Sequence, residues 1–480
     1  MRATHTLLLV GLSAAAAVAA CGGNDDTAPA AAPAGTKDPF RAQSDVSEGL
    51  TNVSADLDAL LEKGALSDAC QRYFAGQADR RTMLMCGKWM FFYESFGTSG
   101  PPTALMTALM QTLPDQIGDG YAKMGMILDP TSELGMPFGL APGRDLAKGV
   151  PSVTFTCASC HFGRLPDGRY AVGAPNHDYD YGLQTLSFAL VPLMVLGSSP
   201  EGHDPLAVSR AKPMVDAIAG DDAKKTKLLD ALKSVLDPSI MAPNLTPEVE
   251  RAYAGWKTGT QDFLIPPLPI DDKVHTVSKI PALWGLPDEA ELSEAGLDSV
   301  MLGWTGSTRS FMGFLSGFVV LGGGDPLVYD ERRVRPLAEY VYSLRPPANP
   351  APPPEAEIEV GRALFQASCV TCHGGPRGSG KRVFTYDEIG TDRAMAKWGN
   401  DLVLNTGDVL TGGIKAPRLV GLWAAKRFLH NGAVDSLDEL FCEKGPRKKG
   451  VEPYGPEGHE FGCDLAPDQR RALRSYLLAH

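Results

Sequence analysis

Cys157-Ala158-Ser159-Cys160-His161 and Cys369-Val370-Thr371-Cys372-His373 decide how this chain is read. Two residues between the cysteines set both thiols along one turn, and the next position adds an imidazole. At this spacing two thiols can add to the vinyl groups of a haem while the histidine ligates the iron. In 480 residues with nine Cys and nine His, a chance Cys-x-x-Cys-His is expected about 0.003 times. A zinc site built from the four thiols leaves both histidines unexplained, and no βαβ redox pattern surrounds either pair. The spacing therefore predicts two covalently bound haem c groups, attached at Cys157, Cys160, Cys369 and Cys372, with His161 and His373 as proximal iron ligands.

The remaining cysteines point to the compartment. Met1 and Arg2 lead into a 14-residue apolar run, Leu7 to Ala20, which reads as a signal peptide over residues 1–20 and is too short to span a bilayer. It ends in Val18-Ala19-Ala20-Cys21-Gly22, which resembles a bacterial lipoprotein signal with lipidation at Cys21; ordinary cleavage with a leftover cysteine is the alternative. Residues 21–50 then read as a tether, because their Ala-, Asp-, Gly- and Pro-rich start cannot form a core. The expected location is the bacterial cell envelope, on the periplasmic side, with the membrane reached only through the lipid anchor. Cys70, Cys86, Cys442 and Cys463 are left over, an even number that suggests disulfides in an exported chain. Local spacing favours Cys70 with Cys86 and Cys442 with Cys463, with cross-pairing as the alternative. Fifty-seven acidic against 45 basic residues give a net charge of −12, which disfavours nucleic acid as a partner.

The clearest boundary is Pro346 to Pro354, six prolines in nine residues, a stiff extended linker assigned to 346–356. Beyond it, Ile358 to Ala367 has helical apolar spacing and places the second motif at a helix end, whereas the first motif lies in extended or loop sequence. Lys279-Ile280-Pro281-Ala282-Leu283-Trp284-Gly285-Leu286 matches Lys415-Ala416-Pro417-Arg418-Leu419-Val420-Gly421-Leu422 at five of eight positions. Each segment closes on an apolar helix, marked by Leu337, Tyr340, Val341 and Leu344 in one and by Leu473, Tyr476 and Leu477 in the other. Two related modules follow: 146–345 and 357–480, preceded by a helical extension over 51–145. From motif histidine to repeat lysine is a step of 118 residues in the first and 42 in the second, an insertion of about 76.

Gly361-Arg362-Ala363-Leu364-Phe365, Ile389-Gly390-Thr391-Asp392, Lys415-Ala416-Pro417-Arg418-Leu419 and Phe428-Leu429-His430-Asn431-Gly432 resemble the diheme cytochrome c peroxidase superfamily, which includes diheme peroxidases, the methylamine dehydrogenase maturation enzyme and the diheme rubber oxygenases. The likeness is good from about 357 to 480, weaker over 146–345 and absent before. It implies a mainly α fold with two cytochrome c-like haem domains and long loops. One haem then reacts with peroxide or dioxygen and the other relays electrons from a redox partner protein or donor.

A protein group on the sixth iron position separates a carrier from a reactive site. The resemblance makes His430 the expected sixth ligand of the second haem, with Met395 the competitor. Aligning the repeats through Gly306 and Gly432 sets Trp304 opposite His430, so the first haem has an indole where the second has an imidazole. Trp304 is thus the expected catalytic residue, lining a distal pocket or carrying an electron between the haems; a core tryptophan is the bland alternative. His177 and His275 remain substitute ligands for the first haem. The leading expectation is a haem-dependent peroxidase- or oxygenase-like oxidoreductase, and the rival is an electron-transfer cytochrome with both irons six-coordinate.

Overall fold

The computed structural model describes residues 39–40, 45–77, 79–147, 149–233, 246–262, 277–294, 302–306, 311–321, 323–324, 331–380, 382–395, 413–447 and 455–480. Residues 1–38, with the expected signal peptide and Cys21, lie outside them, as does His275. The described chain is mainly α, with small antiparallel strand pairs and one three-stranded sheet.

Helix Glu355–Ser368 begins where the proline-rich stretch ends, with Pro354 at its N-cap. It buries Ile358, Gly361, Leu364 and Phe365 against helix Pro467–Leu478, whose Leu473, Tyr476 and Leu477 complete the core. The two helices cross at Gly361. A Cβ there would lie 2.0 Å from the Ala472 carbonyl oxygen and 2.7 Å from Tyr476 Cβ, so the approach admits only hydrogen.

The same crossing occurs in the first half. Helix Arg80–Tyr93, started by Asp79 accepting from the Thr82 amide at 2.9 Å, packs on helix Glu331–Ser343. A Cβ on Gly87 would lie 1.9 Å from the Pro336 carbonyl oxygen and 2.6 Å from Tyr340 Cβ. The helix Arg80–Tyr93 within residues 51–145 is not an appendage. Leu84, Phe91 and Phe92 share one core with Phe162, Trp284, Leu337, Tyr340 and Leu344. The register was visible in the sequence, since Gly87-Lys88-Trp89-Met90-Phe91 repeats the Gly-basic-x-x-Phe pattern of Gly361-Arg362-Ala363-Leu364-Phe365.

The excess length of the first module is a helical insert. Helices Tyr181–Val195, Pro205–Ala219, Asp222–Lys233 and Pro247–Gly255 form, with Thr103–Thr112, a separate apolar core. Cys70 is disulfide-bonded to Cys86 and Cys442 to Cys463, the local pairing; closures of this size stabilise by about 3 kcal/mol each. The far end of the expected tether is docked, for Phe40 stacks on the His480 ring with centroids 4.3 Å apart and packs edge-on to Phe365 and Tyr476. Among the described residues, no helix is long and apolar enough to cross a membrane.

Candidate haem sites

The first motif folds as a single turn, Cys157–His161, entered from strand Val153–Phe155 and left through strand Phe162–Arg164. The second forms the turn Val370–His373, with Cys369 capping the long helix before it. In each motif the two cysteines are free thiols close enough to interact electrostatically, while the other four described cysteines are oxidised in pairs. Burial pushes the Cys157, Cys160 and Cys369 thiols up to about 12 and raises Cys372 as well. Redox dithiols need a depressed pKa, so these pairs have the wrong electrostatics for that chemistry.

Both motif histidines are oriented alike. His161 Nδ1 lies 3.0 Å from the Pro281 carbonyl. His373 Nδ1 lies 2.6 Å from the Gly378 carbonyl, with the Pro417 carbonyl also against the ring. A carbonyl only accepts, so Nδ1 carries the proton and the Nε2 lone pair faces away, free for a metal. Burial lowers both imidazole pKa values, His161 to about 4, so each ring is neutral at neutral pH. Pro281 and Pro417 occupy the same position of the eight-residue repeat.

The repeat is structural throughout. Lys279 ends strand Val277–Lys279 and pairs with Thr260; Lys415 ends strand Ile414–Lys415 and pairs with Val383. Gly285 and Gly421 have φ of 61° and 64°, and Gly306 and Gly432 have 62° and 72°, a left-handed conformation that glycine adopts without strain. The two copies then exchange hydrogen bonds. The Lys279 amide donates to the His430 carbonyl at 2.8 Å, and the Lys415 amide donates to the Trp304 carbonyl at 2.7 Å. Positions 304 and 430 are therefore equivalent, and both lie in the seam between modules.

Trp304 is buried with Tyr386, Met395 and Ile414, all from the second module, and Lys279 Nζ sits 5.5 Å from its ring centroid. His430 is buried against Thr391 and Asp392. Its Nε2 is 3.0 Å from Asp392 Oδ2 but off the line of a hydrogen bond, while Asn431 Nδ2 donates to that same oxygen at 2.6 Å. Trp304 Nε1, Tyr386 OH and His430 Nε2 are all buried without a hydrogen-bond partner. Three orphaned polar atoms in one seam fit a space that holds a further polar group.

His459, which sequence reasoning left without a role, faces His373: the ring centroids are 6.3 Å apart and the planes cross at 75°. Two imidazoles facing each other at this distance could hold one bound group between them. Burial, and then the neighbouring His373, push His459 down to about 4, and its buried Nδ1 lacks a partner. The available signal was its place in Gly458-His459-Glu460, after the repeat ends, where no counterpart in the first module exists to mark it. Among the described residues no ring stands in ring-contact range of His161. His177 is committed to the seam, its Nε2 accepting from the Lys426 amide at 3.2 Å.

Among the described residues no group of three or more His, Cys, Asp and Glu side chains could hold a metal ion. A porphyrin supplies four iron ligands itself, so one or two protein ligands per site suffice and the residues present fit that cofactor. Lys279 and Arg418 are half-buried cations, pushed down to about 8 and about 10 by the burial of their charged ends. Such charges fit a group that brings carboxylates, as haem propionates do.

No family model matches the chain, and no curated protein matches it. Among solved structures the chain is similar to hydrazine synthase of Kuenenia stuttgartiensis, pressurised with 20 bar xenon, at 14% identity and a TM-score of 0.27, over 48% of this chain and 79% of that one. A likeness at this level carries no argument here.

Proposed function

We propose that the chain is an exported c-type cytochrome with two covalent haems, acting as a haem-dependent oxidoreductase in the bacterial envelope. The carrying observation is the repeated half-site: two free thiols, then an imidazole with its ring against a carbonyl of the eight-residue repeat, Pro281 for His161 and Pro417, beside Gly378, for His373. Cys157, Cys160 and His161 hold one group and Cys369, Cys372 and His373 the other, in two cytochrome c-like modules. The glycine-mediated helix crossings at Gly87 and Gly361 support that reading. The two disulfides fit an oxidising compartment, and lipidation at Cys21 is the proposed membrane contact.

When bound, such groups supply one-electron chemistry and, where a position is open, peroxide or dioxygen reactivity. The difference between the surroundings of the two motif histidines supports different roles for them. His459, which faces His373, would join His373 in holding the second group, with His430 and Met395 as the other candidates. Among the described residues no imidazole faces His161, and in this reading the His161 site would be the open one that meets the small oxidant, with His275 outside the described residues. Trp304, equivalent to His430 and held in the seam, lies where an aromatic ring can pass electrons between modules. The small oxidant is peroxide or dioxygen, and electrons come from a redox partner protein or donor.

Carbon monoxide tests the assignment. The reduced protein is expected to shift half of its Soret absorption with carbon monoxide, since one iron in two is open. A full shift would remove the second axial ligand from the proposal, and no shift would favour the electron-transfer cytochrome. His459→Ala is expected to make the second haem partly high-spin and carbon monoxide-reactive while both haems stay covalent, read by optical and EPR spectra. His430→Ala should leave that spin state unchanged.

A further inference from the structure

The insert of the first module carries side chains that the haem reading does not use. Helix Tyr181–Val195 ends with Gly197 at φ 99°; the Gly197 amide bonds Met194 O at 3.1 Å and the Ser198 amide bonds Leu193 O at 3.0 Å. This is a Schellman closure, which fixes Ser198 just beyond the helix. A turn through Pro200-Glu201-Gly202 then delivers His203, and Asp204 caps helix Pro205–Ala219 by accepting from the Leu206 and Ala207 amides at 2.9 and 3.2 Å. Helix Pro247–Gly255 contributes Glu250, fully buried.

Ser198 Oγ lies 2.7 Å from His203 Nε2, and His203 Nδ1 lies 2.7 Å from Glu250 Oε1. The other oxygen, Glu250 Oε2, accepts the Asp204 amide at 2.8 Å. A carboxylate can only accept, so His203 carries its proton on Nδ1, and in the neutral ring Nε2 is the acceptor facing the Ser198 hydroxyl. Ser198 is exposed. Leu196 and Leu206, 48% and 44% exposed, flank the loop on either side. The neighbouring Ser199 hydroxyl is instead bonded to Glu201.

We propose that Ser198, His203 and Glu250 form a second, haem-independent site that hydrolyses small esters with apolar groups. Nucleophile, base and buried orienting carboxylate stand in the order such chemistry needs, on the ends of three helices. Ser198 Oγ attacks the ester carbonyl carbon as its proton passes to His203 Nε2. The C–O bond to the leaving alcohol then breaks, and that oxygen takes the proton from His203. Water repeats the sequence against the acyl-serine, releasing the carboxylic acid and restoring the hydroxyl. No oxidant or reductant is consumed. Leu196 and Leu206 supply the surface for the apolar group. His203 and Ser198 are the catalytic residues; Glu250 is a positioning residue that holds the ring in its tautomer.

The test uses the purified full chain, with a fluorophosphonate as serine probe and p-nitrophenyl butyrate as substrate. Peptide mass spectrometry is expected to place the phosphonate on Ser198, and ester hydrolysis to be lost in Ser198→Ala and retained in Ser199→Ala. His203→Ala should slow labelling at least 100-fold, and Glu250→Gln at least 10-fold, with Glu250→Asp restoring part of the rate and the lower limb of the pH profile. Because Glu250 is buried, circular dichroism of each variant separates lost folding from lost activity, and the exposed Ser198→Ala decides if the Glu250 variants fail to fold. An unlabelled Ser198, or labelling that His203→Ala leaves unchanged, overturns the proposal; in that case the three side chains serve only to neutralise the buried Glu250.

Discussion

Gly361→Val is expected to unfold the second module, and Gly361→Ala to destabilise it although alanine is the better helix former. In an open helix interior the glycine-to-alanine change gains about 1 kcal/mol. Here the new Cβ would meet the Ala472 carbonyl oxygen at 2.0 Å and Tyr476 Cβ at 2.7 Å, both on the facing helix. Backbone on a packed helix cannot swing aside, so the two helices must part. Parting exposes Leu364, Phe365, Leu473 and Tyr476, each almost wholly buried. Overpacking typically costs about 1–3 kcal/mol and sometimes more, so alanine should reverse the sign of the normal helix effect and valine should exceed it. The equivalent change at Gly87, 1.9 Å from the Pro336 carbonyl oxygen, is expected to do the same in the first module. Gly202→Ala is the control, since nothing lies within 4 Å of its Cβ position. Urea unfolding followed by circular dichroism measures all four, and a neutral Gly361→Ala would refute the crossing.

The second large effect is on the cofactor. The double variant Cys369→Ser, Cys372→Ser is expected to retain one covalent haem per chain instead of two, and Cys157→Ser, Cys160→Ser likewise. Removing all four thiols should leave none. A pyridine haemochrome against protein concentration after acid extraction counts the haem. Each pair is confined to its own turn, and His161 and His373 take their orienting carbonyls from separate segments, Pro281 in one case and Gly378 with Pro417 in the other. Loss at one site therefore leaves the other's local geometry in place. Haem that leaves both wild-type sites in acid would sink the covalent reading. Zinc bound in place of haem would do the same for the cofactor.

How much was legible in the sequence depended on the distance over which each feature is built. Motif spacing, the Lys-x-Pro-x-Leu-x-Gly-Leu repeat and the two local disulfides are short-range, so they could be read directly. The alignment of Trp304 with His430 came from superposing Gly306, Ser310, Phe311, Phe314 and Leu315 on Gly432, Ser436, Leu437, Leu440 and Phe441, and the reciprocal bonds from Lys279 and Lys415 fit it. The first module's opening helix was harder, because 65 residues intervene between Phe91 and Cys157 where three separate Phe365 from Cys369. Its glycine crossing is a contact between residues 87 and 336, and periodicity within a helix does not say which helix it will meet.

The chain's order alone determined where thiols and imidazoles can act on one group, since covalent attachment needs residues adjacent along the backbone. Only the tertiary structure decided which histidine faces which. His430 and His459 are equally available to a reader of the sequence, and the fold buries the first beside Asp392 in the seam while setting the second against His373. The same holds for Ser198, His203 and Glu250, where the decisive carboxylate lies 47 residues beyond the imidazole it orients. Such choices depend on long-range packing, in which helices are brought together by burial of apolar faces and their polar side chains meet as a consequence.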